Sequence, residues 1–329
     1  MFCVKSILCQ AKNKCKTIVF PEAGFSERIV TAGKILAKKQ LVKVVFIGDE
    51  SALILRYKNL KGITIINPKT SSHHDRFVKE FYEIRKSKGI TLEQADALML
   101  DPFYFATMLV HMNFADGMVG GVEVPTARNL KPALQIIKAK KQNLICCSCF
   151  LFYGKNRVTK NQPFFVSDAG LVEFPNSVEL ESIASMTAKF CKNLFKINPR
   201  VAFLSYSTNG SASSDSITTV KNACELFKAK NTFFADGEVQ LDTALLPQIA
   251  KIKLPKSHLT ATPANVLIFP DINAGNIAYK SIQHFGGLKV IGPIVLGLNK
   301  PVNDLSRSST VNEIINMACL TSIQSEKGE

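Results

Sequence analysis

The residues best suited to chemistry gather in one short connection near the end of the chain. Over 292–313, GPIVLGLNKPVNDLSRSSTVNE, an apolar run has the composition of a strand over 290–296. It leads into Asn299, Lys300, Asn303, Asp304, Ser306 and Arg307, and a last helix is expected over 310–323. A fixed cation, a hydroxyl, amides and carboxylates thus stand beside a helix N-terminus, whose first N–H groups are unpaired and where the dipole is positive. Such a set suits a phosphate or a developing oxyanion, and open α/β folds place ligands beyond the carboxyl ends of strands. Chemistry alone leaves a second reading open. Thr310 and Glu313 (TVNE) also fit the S/T-x-x-E capping box, so the loop could be a solvated connection with a good helix cap.

Three further clusters share this character. The turn 205–214, SYSTNGSASS, lies between a strand and a helix, and at Gly210 a missing side chain lets backbone N–H groups approach an anion. In 270–280, PDINAGNIAYK, Asp271, Asn273, Gly275 and Asn276 open a helix that carries Lys280. Asp236, Glu238, Gln240 and Asp242 alternate along one segment, an arrangement for which a hard cation is one reading and hydrogen-bonded scaffolding another. Cys146, Cys147 and Cys149 sit in an apolar run with no nearby His to complete a zinc spacing. Buried thiols in a reducing cytosol explain them better than a redox pair.

Apolar β-type runs alternate with helical stretches, which predicts an α/β protein with a largely parallel sheet. The first series places strands at 17–20, 42–47, 62–66 and 117–122, with helices at 26–39, 75–88 and 129–139. A helical stretch over 91–112 is interrupted at Asp101-Pro102, where a new helix should start. Pro132 is expected in the first turn of the 129–139 helix. The second series has strands at 144–153, 164–167, 200–205, 233–235, 266–269 and 290–296, with helices at 177–195 and 215–229.

With 329 residues, 46% hydrophobic and 20% charged, the chain can bury a sizeable core as one large or two medium domains. No apolar run is long enough to cross a bilayer, and the start, MFCVKSILCQAKNKCK, reads as an amphipathic helix, not a signal peptide. The formal net charge of +15 is spread over every helix and loop, mostly as Lys, with no basic tail or aromatic-interleaved stripe. This argues against a nucleic-acid binder and for a soluble surface whose field draws small anions.

The segment NKPVNDLSR, placed near the C-terminus, resembles the signature of the phosphate acetyltransferases. The segments 101–119, 130–137, 200–211, 236–242 and 265–280 resemble family segments in family order, so the likeness runs from Ile18 to Gln324. It implies two α/β/α domains with largely parallel sheets and an active-site cleft between them: 1–142 plus 294–329, and an inserted 143–293. It implies an enzyme that moves an acetyl group between coenzyme A and inorganic phosphate by direct attack of the thiolate on acetyl phosphate. No cofactor or metal is needed, because both acyl donors are already activated. A cytoplasmic homodimer is implied as well. Phosphate butyryltransferases and the C-terminal domain of some malic enzymes are similar, which supplies the alternatives: butyryl transfer, or a weakly active acyl-CoA-binding regulatory protein.

Carried over position by position, the resemblance makes Ser306 and Arg307 catalytic and puts Glu313 where the family has an Asp base. Arg85 stands at one coenzyme A phosphate position. Lys131 and His284 stand where the family has arginines, and the His reads better as a surface residue. Ser207, Thr208 and Gly210 belong to a turn in which Asn209 replaces a family Lys. Asn273, Lys280 and Asn303 complete the expected substrate contacts, and the acidic alternation 236–242 becomes scaffolding, not a metal site.

Overall fold

The computed structural model describes residues 4–155 and 162–325. Two compact units divide the chain, one formed by 3–140 with 298–328 and the other by 141–297.

The first unit runs α1 (Val4–Lys14), β1 (Thr17–Phe20), α2 (Glu27–Lys38), β2 (Lys43–Ile47), α3 (Glu50–Tyr57), β3 (Ile63–Ile66), α4 (His74–Arg85), α5 (Leu92–Met99), α6 (Pro102–His111), β4 (Gly117–Gly120) and α7 (Thr126–Ile136). The second follows with β5 (Cys147–Tyr153), β6 (Phe164–Ser167), α8 (Ser177–Phe195), β7 (Arg200–Leu204), α9 (Asp215–Lys230), β8 (Phe234–Val239), α10 (Leu241–Leu245), α11 (Pro247–Lys253), β9 (Val266–Ile268), α12 (Ile272–His284) and β10 (Lys289–Leu296). The chain then returns to the first unit with β11 (Val302–Asp304) and α13 (Val311–Gln324).

In the first unit all strands pair in parallel, in the order β11-β4-β1-β2-β3. Strands covered on both faces have continuous apolar runs in place of alternation, and TIVF in β1 and KVVFI in β2 are of this kind. Phe20, Phe46, Phe77, Phe81, Phe103 and Phe105 are fully buried around the sheet. Gly33 lets α2 lie directly on it, since a Cβ there would come within 2.3 Å of the Phe46 ring. In the second unit the order is β10-β5-β6-β9-β7-β8. The last four strands are parallel, and β5 runs antiparallel to both β6 and β10. Its core includes the stacked pairs Phe150–Tyr279 and Phe152–Phe164.

The expected break at Asp101-Pro102 is real. Asp101 caps α6 by accepting from the N–H groups of Phe103 and Tyr104, and Pro102 occupies the first helical position. Two expectations are corrected. Helix α7 begins three residues before 129, so Pro132 lies inside it and not in its first turn. Part of the expected 299–307 loop is the edge strand β11, which pairs Val302, Asn303 and Asp304 with Met118, Val119 and Gly120. Three residues with one aliphatic side chain carry no strand signal, so only the partner strand makes them one.

Candidate active site

In the first sheet the chain order reverses between β1 and β4, which is where an open parallel sheet leaves a crevice at its carboxyl edge. Three connections converge there: 21–26 after β1, 121–125 after β4 and 305–310 after β11. Glu22, fully buried, accepts from the backbone N–H groups of Val122 (2.9 Å) and Glu123 (2.8 Å). Asp304, 1% exposed, accepts from the Thr126 hydroxyl (2.6 Å) and the Asn129 side-chain amide (2.9 Å). Gly121 makes this approach feasible: it has φ +94°, and a Cβ there would stand 2.1 Å from an Asp304 oxygen. Burial pushes the Asp304 carboxyl up to about 6 against the pull of its Thr126 and Asn129 bonds, with the nearby Glu22 charge adding to the rise. Burial raises Glu22 too, partly offset by the backbone donors it accepts from.

Arg28, in the first turn of α2, ties two of these connections together. One terminal nitrogen donates to the carbonyls of Arg307 (2.8 Å) and Ser309 (2.9 Å). The other donates to the Val122 carbonyl (2.9 Å) and the Glu123 carboxylate (2.9 Å). Glu123 also accepts from Ser26. Burial pushes its carboxyl up, but the Ser26 and Arg28 bonds and the Arg28 charge outweigh that and hold it below the ordinary value.

On the backbone that Arg28 fixes, the guanidinium of Arg307 is exposed and has no partner among the described residues, and neither have the N–H groups of Ser306 and Arg307. The Ser306 hydroxyl lies 2.9 Å from that of Ser308. Two residues on, Thr310 caps α13 in a full capping box. Its hydroxyl accepts from Glu313 N–H (3.3 Å), while a Glu313 carboxylate oxygen accepts from the Thr310 N–H (2.7 Å) and hydroxyl (2.9 Å). The capping reading of Glu313 therefore holds as geometry. Capping and proton transfer are compatible roles for one carboxylate, which has more lone pairs than the two cap bonds occupy.

Asn303 is placed differently from the expectation. It is fully buried in β11, its amide nitrogen donating to the Thr321 hydroxyl (2.8 Å) and the Gln324 side chain (2.9 Å), so it ties the strand to α13 and faces no substrate. Arg85 and Lys131, in contrast, fall on one side of the unit. Arg85 ends α4 beside Tyr104, whose hydroxyl donates to Gln135 (3.0 Å), one turn along α7 from the exposed Lys131. Arg128 joins them from the preceding turn of α7, paired with Asp101 (3.0 Å) and lying over the Phe103 ring. Sequence reading missed Arg28, Arg128 and Asn129. Their acceptors lie tens to hundreds of positions away, and no local pattern marks them.

The turn after β7, in the second unit, corrects another expectation. Every backbone N–H from Ser207 to Ala212 finds an internal acceptor. Gly210 N–H (2.7 Å) and the Ser207 hydroxyl (3.0 Å) both donate to Glu238, which is 3% exposed, and the Thr208 hydroxyl accepts from Gln240 N–H (2.9 Å). The anion this turn cradles is a carboxylate of the chain itself, so the side chains of Ser207 and Thr208 and the Gly210 N–H are not offered to a ligand. Along 236–242 each polar group has its own partner: Asp236 with Ser257, Glu238 as above, Gln240 with the Tyr206 carbonyl, Asp242 with Lys253. Among the described residues no cluster of three or more His, Cys, Asp or Glu could hold a metal ion. Asn273, in the first turn of α12, and Lys280, seven residues on, share that helix's exposed face, with the Lys280 ammonium 4.9 Å from the Tyr279 ring centre. His284 is an exposed residue at the helix end. Burial raises the thiols of Cys146, to about 11, and Cys147, well above the usual value, which makes both inert.

A model of the phosphate acetyl/butaryl transferase family matches residues 2–322. The chain belongs to this family. It is 40% identical to the phosphate acetyltransferase of Acetivibrio thermocellus over 98% of each chain. It is 40% identical to that of Helicobacter pylori over 98% of its own length, while spanning 62% of that longer protein. A phosphotransacetylase from Streptococcus pyogenes shares its structure with a TM-score of 0.89 and 38% identity, over 98% of this chain and 99% of that one. The matching α/β architecture, with two largely parallel sheets, is that of the family.

Proposed function

We propose that the chain is a phosphate acetyltransferase, exchanging an acetyl group between coenzyme A and inorganic phosphate. In the thioester-forming direction the thiol gives up its proton and the thiolate attacks the carbonyl carbon of acetyl phosphate. The C–S bond forms, the C–O bond to phosphorus breaks, and phosphate leaves with the bonding pair. A site for this step must hold the phosphate, stabilise the carbonyl oxygen as it gains charge, and take one proton.

The observation that carries this reading is the 305–310 connection. It presents a guanidinium and two N–H groups without partners among the described residues, beside a hydroxyl, on a backbone held by two bonds from Arg28, whose other two bonds go to the 121–125 connection. Arg307 suits the two-pronged grip on a phosphate, and the Ser306 hydroxyl and the two N–H groups suit the developing oxyanion. Glu313 stands where the family has its Asp base, in the first turn of α13, and takes the thiol proton. Arg28 is a positioning residue. Arg85, Lys131 and Arg128 form a basic face for the phosphates of coenzyme A, and Asn273 and Lys280 on α12 are read as substrate contacts as well.

In either direction the acyl donor enters activated, so the reaction calls for no cofactor or metal. A homodimer working in the cytoplasm completes the reading. It is supported by the family likeness. The test is steady-state thioester formation from acetyl, propionyl and butyryl phosphate in chelator-treated protein. Turnover fastest with the acetyl donor is expected. A preference for butyryl would move the assignment within the family, and no turnover despite coenzyme A binding would leave only a regulatory role.

A further inference from the structure

A cavity of about 760 Å³ opens at the amino ends of β6, β7 and β9 in the second unit. It lies at the opposite end of these strands from the 205–212 turn, about 16 Å away along the five residues of β7. Its walls mix apolar groups, from Phe164, Leu246, Pro247 and Pro263, with polar ones from Gln162, Gln248, Thr262 and Asn265. Among the described residues one cation lines it: Arg200, the first residue of β7, partly buried.

The Arg200 side chain is fixed in place. Its Nε donates to the Pro263 carbonyl (2.6 Å) and its backbone N–H to the Asn265 side chain (2.7 Å), which is anchored in turn by the Asn198 carbonyl (3.0 Å). The two terminal nitrogens have no acceptor among the described residues, and no acid lines the cavity. Burial pulls the guanidinium below its ordinary pKa, the direction expected of a desolvated cation without a counter-ion. A half-buried charge held rigid in a partly apolar cavity of ligand size is an arrangement that an anion from solution completes.

We infer that this cavity binds a small organic monocarboxylate with a short apolar body. The paired terminal nitrogens of Arg200 match the two oxygens of a carboxylate, and the Phe, Leu and Pro walls cover the body. A single cation among the described lining residues suits one negative charge better than a phosphate dianion.

Calorimetric titration of the full chain, saturated with coenzyme A to occupy the transferase site, tests this with benzoate, butanoate, their neutral amides and methyl phosphate. Each acid should bind at one site per chain, at least about tenfold more tightly than its amide and more tightly than methyl phosphate. Arg200→Gln should weaken acid binding about tenfold or more. Because that change also removes the bond to Pro263, Gln248→Trp supplies a second test, narrowing the cavity without touching Arg200. It should weaken benzoate binding while thioester formation and Tm stay as in the wild type. The inference is overturned if acids and amides bind alike, if methyl phosphate binds best, or if both variants bind the acids as the wild type does. Absence of any acid binding up to about 50 mM, weaker than any useful affinity, overturns it equally.

Discussion

The connections after β11 and after β7 start from the same design and end in opposite states. Each leaves the carboxyl end of a parallel strand, is rich in Ser, and runs into a helix capped by a hydroxyl. After β7 the chain supplies its own anion: Glu238 accepts from Ser207 and Gly210, and the remaining N–H groups close on neighbouring oxygens. After β11 the nearby carboxylates are engaged elsewhere. Asp304 is bound by α7 and Glu313 by the helix cap, while Arg28 holds the backbone by its carbonyls and leaves the Ser306 and Arg307 N–H groups and the Arg307 guanidinium open. An anion site is therefore made less by a polar loop than by where the chain's own carboxylates are spent.

The largest effect expected from this contrast is at Glu313. Glu313→Gln keeps a side chain able to complete the capping box but removes the base, so kcat should fall by roughly 10²–10⁴ with Tm nearly unchanged. The defect should shrink at high pH, where the coenzyme A thiol ionises unaided. A silent variant would confine Glu313 to capping and leave the open loop without its proton acceptor.

Next comes Arg307→Lys, which retains the charge but not the fork, and kcat should drop about 10²-fold or more with the fold intact. Near wild-type kcat would show that a positive field suffices there. Arg28→Ala should cost about 2–3 kcal/mol of stability and about tenfold to a hundredfold in kcat, with KM for acetyl phosphate less affected. Loss of stability at full kcat would mean that the loop holds its shape without the clamp.

At the closed loop, Glu238→Ala should cost about 1–3 kcal/mol by leaving the Ser207 and Gly210 donors unpaired. If this loop is as self-contained as its bonds indicate, kcat should change by less than after any substitution in the open loop. A larger kcat loss with unchanged Tm would break the comparison.

The last effect is a pH dependence of stability, with no effect on kcat at neutral pH. Asp304 titrates near 6 in the folded protein against an ordinary 3.8, so its contribution to stability is full below 3.8 and is lost as pH rises through about 6. Between those values up to about 3 kcal/mol is lost in wild type and not in Asp304→Asn. Denaturant titrations of both proteins at about pH 4 and 7 check the sign.

Local chemistry made much of this molecule legible. The Asp101-Pro102 start of α6, helix α8 and the capping box at Thr310 and Glu313 were readable because cap, proline and periodicity act within a few residues. The family segments were legible too, and with them the two parallel sheets and the transferase assignment. Strand β11 was not, because its three residues become a strand only beside β4. The fates of Asn303, Ser207 and Gly210 were equally hidden. The sequence determined which groups are donors, acceptors and cations, while tertiary structure alone decided which of them meet inside the protein and which remain for a substrate. A hydrogen-bonding group is satisfied by whichever partner the fold brings within about 3 Å, and Arg28 with Arg307, or Glu238 with Gly210, are brought there by sheet order, not by proximity along the chain.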